Sequence, residues 1–444
     1  MAPALLLRQV NLLEADDLPP RRCDVRLEGN RLAALGGAEG ELPPVAPVPA
    51  GEAPVVLEAS HLWLAPGLVD PSSVLEDPLL GRAETLDSLA EAARAGGYGT
   101  VALLPWGPAW RDRPESLHLR FPAPLRLLLW GAFSLGGADA ELSPHADLLA
   151  AGALGLAAGS SLPPLALLER GLRLGEMGHQ PLLVAPRDAS LSREGFVRER
   201  VEALRGGWPL DPVLSETLPL QALLGLAEAL PAAPLRLMNL STAEGVALLR
   251  QRGAPLPASV SWWHLLADSG RLDPAAEGWR VMPSLGGPGD REALVAGLAD
   301  GTLTAVAVQH QALDPEERLL PLDQRRPGLA GHGLVLPLLW GELVERQGWS
   351  PSLLWRALCW GPCRFLGLPV SRLEVGGSDW ILFDPTAPWG ECPRAMFGAG
   401  DPSRAANRPR LEEGWAEGLP QARGRVRAAG FNDPRNWDLA GLQR

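Results

Sequence analysis

The first 35 residues alternate apolar and polar side chains in short runs, LLLRQVNLLEA (5–15) and then CDVRLEGNRLAAL (23–35). A period of two marks strands with one buried face, and the polar breaks between the runs predict hairpins. A Gly/Pro-rich linker follows from Gly36 to Pro54. Beyond it, short apolar runs at 64–70, 100–105, 125–130, 153–158, 181–185, 235–240, 257–261 and 305–308 alternate with segments of helical spacing. Eight strands alternating with helices is the number that closes a barrel whose reaction face lies at the strands' C-terminal ends. After Leu368 the strand pattern returns in LEVGGSDWILFDP and ARGRVRAAGF. The pattern therefore predicts an α/β chain: a (β/α)8 TIM-like barrel over 64–368, flanked by a small β-domain built from both chain ends, 1–63 and 369–444.

Composition narrows the chemistry. The net charge is −12, so no cationic face is expected to track a phosphate backbone, and nucleic acid is excluded as a partner. No run of about 18 apolar residues is present and the N-terminus lacks a basic region ahead of its apolar run, so a cytoplasmic protein with no membrane segment is expected. The chain holds no lysine, one isoleucine (Ile381) and one tyrosine (Tyr98), against 16 Trp, 50 Gly and 45 Pro. Drift toward GC-rich codons accounts for this, yet it has a chemical consequence: no Schiff base, lysine base or carbamylated lysine is available. Cys23, Cys359, Cys363 and Cys392 are too few and scattered for a disulfide framework and read as free thiols. The run GGPGD (286–290) lacks phosphate-loop spacing and reads as a turn before an amphipathic helix that ends near Gly301.

Seven landmarks then occur in one order: PGLVD (66–70), AETLDSLAEAARAGGYGTVALLPW (83–106), MNLST (238–242), SVSWWHLL (259–266), DREALVAGLADGTLTAVAVQH (290–310), PGLAGHGLVLPLL (327–339) and GPCRFLGL (361–368). Together with NRP at 407–409 and GRVRAAG at 424–430, they resemble the dihydroorotase branch of the amidohydrolase superfamily over nearly the whole chain. The resemblance implies one or two zinc ions that activate water against a cyclic amide. It also implies where their ligands should stand. The family's two first-strand histidines fall on Ser72 and Val74, the fifth-strand histidine on Ala185, the sixth-strand Cys-His pair on Met238 and Asn239, and the general-base aspartate on Gln309. The fourth-strand bridging group falls in LAAGSS (156–161), which has neither acid nor lysine. An amide cannot take a proton near neutrality, so Gln309 is no base.

Substrate contacts are altered as well. The arginine that clamps the substrate carboxylate falls on Glu76, whose charge would repel that group, and the asparagine of the following turn falls on Trp106. The expectation is no zinc, no catalytic residue and no dihydroorotate site. Asp188, His264, His310 and His332 remain as candidates for a displaced pocket, or as ordinary polar remnants. Trp106, Trp262 and Trp263 align with the barrel mouth and either plug it or belong to the general core. Three functions stay open: a catalytically degenerate, homo-oligomeric protein serving as structural partner of aspartate transcarbamoylase, as the resemblance implies for ligand-lacking members; a cyclic-amide hydrolase using a rebuilt or metal-free site; or a small-molecule binder that uses the barrel mouth without chemistry.

Overall fold

The computed structural model describes residues 4–36, 54–77, 81–120, 125–252, 255–272, 278–388, 403–409 and 423–439. The expected linker lies outside them except for Gly36 and Pro54, and so does Cys392. At the N-terminus, β1 (Leu5–Leu12), β2 (Arg21–Glu28) and β3 (Arg31–Leu35) pair antiparallel, while β4 (Val55–Glu58) and β5 (Trp63–Ala65) run parallel to β1. Leu5, Leu7, Val10 and Leu12 all face inward because a bulge between Leu7 and Val10, with Gln9 at φ 56°, resets the alternation.

The run expected as one strand over 64–70 is two strands. Pro66 has no N–H to carry a ladder onward. At Gly67 a side chain would lie 2.5 Å from the Asp379 carboxylate. The chain therefore leaves the first sheet after Ala65 and enters β6 (Leu68–Ser73), in which every residue is buried. Burial on both faces is the mark of a parallel strand covered by helices.

The other predicted strands appear as β7 (Tyr98–Leu103), β8 (Arg126–Leu129) with β9 (Gly131–Ala132), β10 (Leu156–Ala157) and β11 (Leu182–Val184). Then come a short parallel pair, β12 (Val197–Arg198) and β13 (Leu210–Asp211), followed by β14 (Leu235–Leu237), β15 (Ser259–Ser261) and β16 (Ala305–Ala307). They form parallel ladders β6-β7-β8, β9-β10-β11-β14 and β15-β16. Trp130 N donates to Leu103 O at 3.0 Å, Leu237 bridges Ala258, and Gln309 N donates to Ser72 O at 2.9 Å, linking each ladder to the next. At the C-terminus, β17 (Ile381–Pro388) pairs with β5 and with β18 (Arg423–Ala429), so both chain ends build one sheet in the order β18-β17-β5-β1-β2-β3.

Side chains inside the parallel strands, among them Val69, Ala102, Trp130, Leu183 and Met238, make one apolar cluster. A larger one fills the space between strands and helices. Helix Gly361–Leu366 packs very closely here: a side chain at Gly361 would lie 1.9 Å from Thr304 O, just ahead of β16. The Gly361→Ala variant is accordingly expected to lose about 2–3 kcal/mol in urea denaturation, the cost of overpacking a tight core. An unchanged midpoint would contradict this contact.

Candidate functional site

The strand ends carry a closed set of neutral side chains. Ser72 is the penultimate residue of β6, Val74 follows that strand, Asn239 lies two residues past β14, Ser259 opens β15, and Gln309 lies two residues past β16. Asn239 and Gln309 both have φ 49°, a left-handed backbone that non-glycine residues seldom adopt and that clusters at functional sites. Gln309 Oε1 accepts from Ser72 Oγ at 3.0 Å and from Asn239 Nδ2 at 2.8 Å. Asn239 Oδ1 accepts from Ser259 Oγ at 2.9 Å, and Asn239 N donates back to that hydroxyl at 3.0 Å. Val74 and Ala185 sit beside this net in the inner apolar cluster.

A metal fits poorly here. Zinc takes imidazole, thiolate or carboxylate donors, and this net offers two hydroxyls and two amides already spent on one another. Among the described residues no three His, Cys, Asp or Glu groups are gathered to hold an ion.

Behind the net lies a charged layer. Asp70 is fully buried and accepts from Val308 N at 3.0 Å, Ser73 Oγ at 2.5 Å and His332 Nε2 at 3.0 Å. His310, also fully buried, stacks 5.1 Å from the His332 ring, and its Nε2 stands 3.3 Å from Glu84 Oε2. Burial by itself would raise the Glu84 carboxyl, but His310, Ser403 and Ser88 hold it down to about 2. These two histidines are buttresses behind the cleft and not part of its lining.

The cleft itself is walled by Trp106, Ala185, Arg187, Met238, Asn239 and Gln309, with Arg198 and Glu216 at its base. Only about 20 Å³ is open to water centres, room for one or two waters. Trp106 contributes to that filling and donates from Nε1 to Ala158 O at 2.9 Å. Trp262 and Trp263 belong to the outer core layer. The indole in the inner cluster is Trp130, which donates to Pro71 O at 3.1 Å and which the sequence reading did not single out.

Arg198, likewise missed, is the most heavily bonded group of the site. Fully buried, it reaches Ser215 Oγ at 2.7 Å, Ser241 Oγ at 2.9 Å, Glu216 at 3.1 Å and Asp211 at 3.3 Å. Glu216 also accepts Ser241 N at 2.9 Å and Thr242 N at 3.1 Å. A buried cation so compensated holds β12, β13 and the loop after β14 in one register.

Three remaining candidates stand elsewhere. Asp188 caps the short helix Ala189–Ser192, accepting from Ser190 N at 2.8 Å, and is not part of the cleft lining. His264 is buried with Nε2 3.1 Å from Pro283 O, and burial pushes its pKa down to about 4, so it is neutral near pH 7. Glu76, expected at the place of the family's carboxylate-clamping arginine, accepts through both its oxygens from Arg326, at 2.7 and 2.8 Å, and lines a separate hollow with Glu317.

The chain is similar to a "probable dihydroorotase-like protein" of Synechocystis sp., 37% identical over 382 residues covering 77% of this chain and 84% of that one. It is 30% identical to a dihydroorotase of Thermus aquaticus over 397 residues, 86% of this chain and 90% of the relative. A dihydroorotase-like protein of Pseudomonas aeruginosa is 29% identical over 373 residues, 82% and 85% of the two chains. No family model matches. Among solved structures, an L-hydantoinase of Arthrobacter aurescens superposes with a TM-score of 0.74 over 97% of this chain and 96% of its own, at 16% identity. A D-hydantoinase of Thermus sp. gives 0.72 at 18% identity, over 97% and 96%. At such identities these two speak for the fold alone.

The depressed Glu84 carboxyl makes stability depend on acid. Its contribution is fully present above the ordinary value of 4.5 and is lost as pH falls toward about 2. The unfolding free energy of the wild type, less that of Glu84→Gln, should therefore shrink by about 3 kcal/mol between those two pH values. A difference that stays constant with pH would show that Glu84 is not held by His310.

Proposed function

Because the chain belongs to the dihydroorotase family, we propose that it is a dihydroorotase-like member in pyrimidine metabolism that neither binds zinc nor hydrolyses a cyclic amide. It acts instead through its surface, with aspartate transcarbamoylase as the partner the family resemblance suggests. The observation that carries this reading is the neutral net Ser72–Gln309–Asn239–Ser259, which occupies the strand ends with groups that neither hold a divalent ion nor take a proton. The parallel strands are read as a closed (β/α)8 barrel, supported by the hydrogen bonds that join each ladder to the next and return from Gln309 to Ser72.

A rebuilt hydrolase would need an acid or base at the cleft. Glu216 is the one such group in its lining, and it is consumed by Arg198, Ser241 and Thr242. Support for a surface role comes from Leu214 and Leu218, one turn apart on helix Leu214–Ala229 and 56% and 47% exposed.

Two experiments test the reading. Purified protein should show no turnover of dihydroorotate or carbamoyl aspartate, and the double variant Ser72→His/Val74→His should not rescue it, because Gln309 still supplies no base. Chelator-sensitive hydrolysis by the unmodified protein would overturn the loss of catalysis. Co-expressed with aspartate transcarbamoylase of the same organism and purified through a tag on one of them, the two should elute together in gel filtration. A specific complex of this kind buries at least about 1,200 Å². Separate peaks at micromolar concentration would remove the partner assignment.

A further inference from the structure

Most charges buried near the strand ends are paired, but the half-buried Arg187 and Arg280 are not. Arg187, three residues past β11, lines the cleft together with Ser160, Asn239, Met282 and Trp106. Its Nε is buried without an acceptor, and NH1 reaches nothing better than Met282 Sδ at 3.6 Å. Among the described residues it makes no ion pair. Arg198, a few residues away along the chain, is by contrast surrounded by Asp211, Glu216, Ser215 and Ser241.

The surroundings do not compensate Arg187. Burial disfavours its charge, Asp211 offsets part of that, and the neighbouring guanidiniums of Arg198 and Arg280 add repulsion. Arg280 is itself short of acceptors at Nε and NH1, with its guanidinium carbon 4.9 Å from the centre of the Phe196 ring. The ionisable residues of the cleft lining are thus two arginines and one glutamate, and that glutamate is spent on Arg198. A guanidinium with free donors in a partly dry, net-positive cleft is arranged for an oxyanion.

We propose that this cleft is a receptor for a small free carboxylate, with the Arg187 guanidinium as its anchor. The proposal rests on the reading of the cleft as non-catalytic. Three features select this ligand class. The open space of about 20 Å³, room for one or two waters, takes a small head group only as the pliant walls Met238 and Met282 yield to it, which excludes larger ligands. The surplus at the cleft is a single positive charge, which a monoanion balances and a phosphate dianion exceeds. A planar fork pairs with a planar carboxylate through two parallel bonds, which a spherical halide cannot accept. In this reading Ser160 and Asn239 stand at the cleft wall as polar neighbours of the head group, and Trp106 as an apolar one.

Acetate is the probe. At constant ionic strength and with chelator present, wild-type protein should bind acetate saturably with Kd of ~1 mM by calorimetry and tryptophan fluorescence, and chloride and inorganic phosphate more weakly. Arg187→Gln should weaken acetate binding at least about tenfold while leaving the melting temperature unchanged or raised, because it removes a half-buried charge without orphaning a partner. Arg187→Lys should weaken it too, since the fork is lost. Absence of saturation up to about 100 mM acetate, or equal binding by Arg187→Gln, would overturn the proposal. Binding that appears only after zinc is supplied would instead overturn the zinc-free reading of the strand ends, and the Arg187→Gln comparison would still decide this one.

Discussion

A carboxylate with no exposure to water stays in a protein interior only when donors surround it, and Asp70 is placed under that constraint. It lies within the first parallel strand and takes donors from three separate parts of the chain: Ser73 at the end of its own strand, the backbone after β16, and His332 at the start of helix His332–Leu339. Those bonds bring the last parallel strand to the first. They also set the distance between Ser72 and Gln309, and hence whether a neutral net can form across the strand ends. His310 follows from the same arrangement, since its N–H donates to Ser73 Oγ and its ring turns toward Glu84. Loss of Asp70 would leave His332 and a backbone donor buried without partners.

The chemistry in front of this layer differs from that behind it. Behind, ionisable groups come in partnered sets: Asp70 with His332, Glu84 with His310, Arg198 with Asp211 and Glu216. In front, at Ser72, Val74, Ala185, Asn239 and Gln309, there is no ionised group. A divalent ion at such a place would have to be desolvated without charged ligands, which costs more than hydroxyls and amides repay. The left-handed backbone at Asn239 and Gln309 nevertheless persists. The left-handed backbone and the support layer thus surround strand ends that carry only neutral side chains.

Much of this was legible in the chain. Seven of the eight predicted barrel runs each hold a parallel strand, because short apolar runs between helical segments leave few alternatives, while the first, 64–70, is split between β5 and β6. Their lengths were not legible: the run 235–240 reads as strand throughout, but the ladder ends at Leu237 and Asn239 turns left-handed. Landmark spacing pointed to Ser72, Asn239 and Gln309, and the structure brings these three into one hydrogen-bonded net. Features made by long-range pairing escaped. The partner of Glu76, Arg326, is 250 residues away, and the Arg198 cluster joins groups 13 to 43 residues apart with no local signature. Trp130 ends the run LRLLLW and, read from composition, is one indole among 16.

The central claim is that hydrogen bonds among Ser72, Gln309, Asn239 and Ser259 stand in the place of a metal centre. Crystals grown with excess zinc and measured at the zinc absorption edge test it most directly. The account predicts no anomalous peak within bonding distance of those four side chains, with Gln309 Oε1 still between Ser72 and Asn239. A fully occupied zinc peak there, with Gln309 displaced, would contradict it.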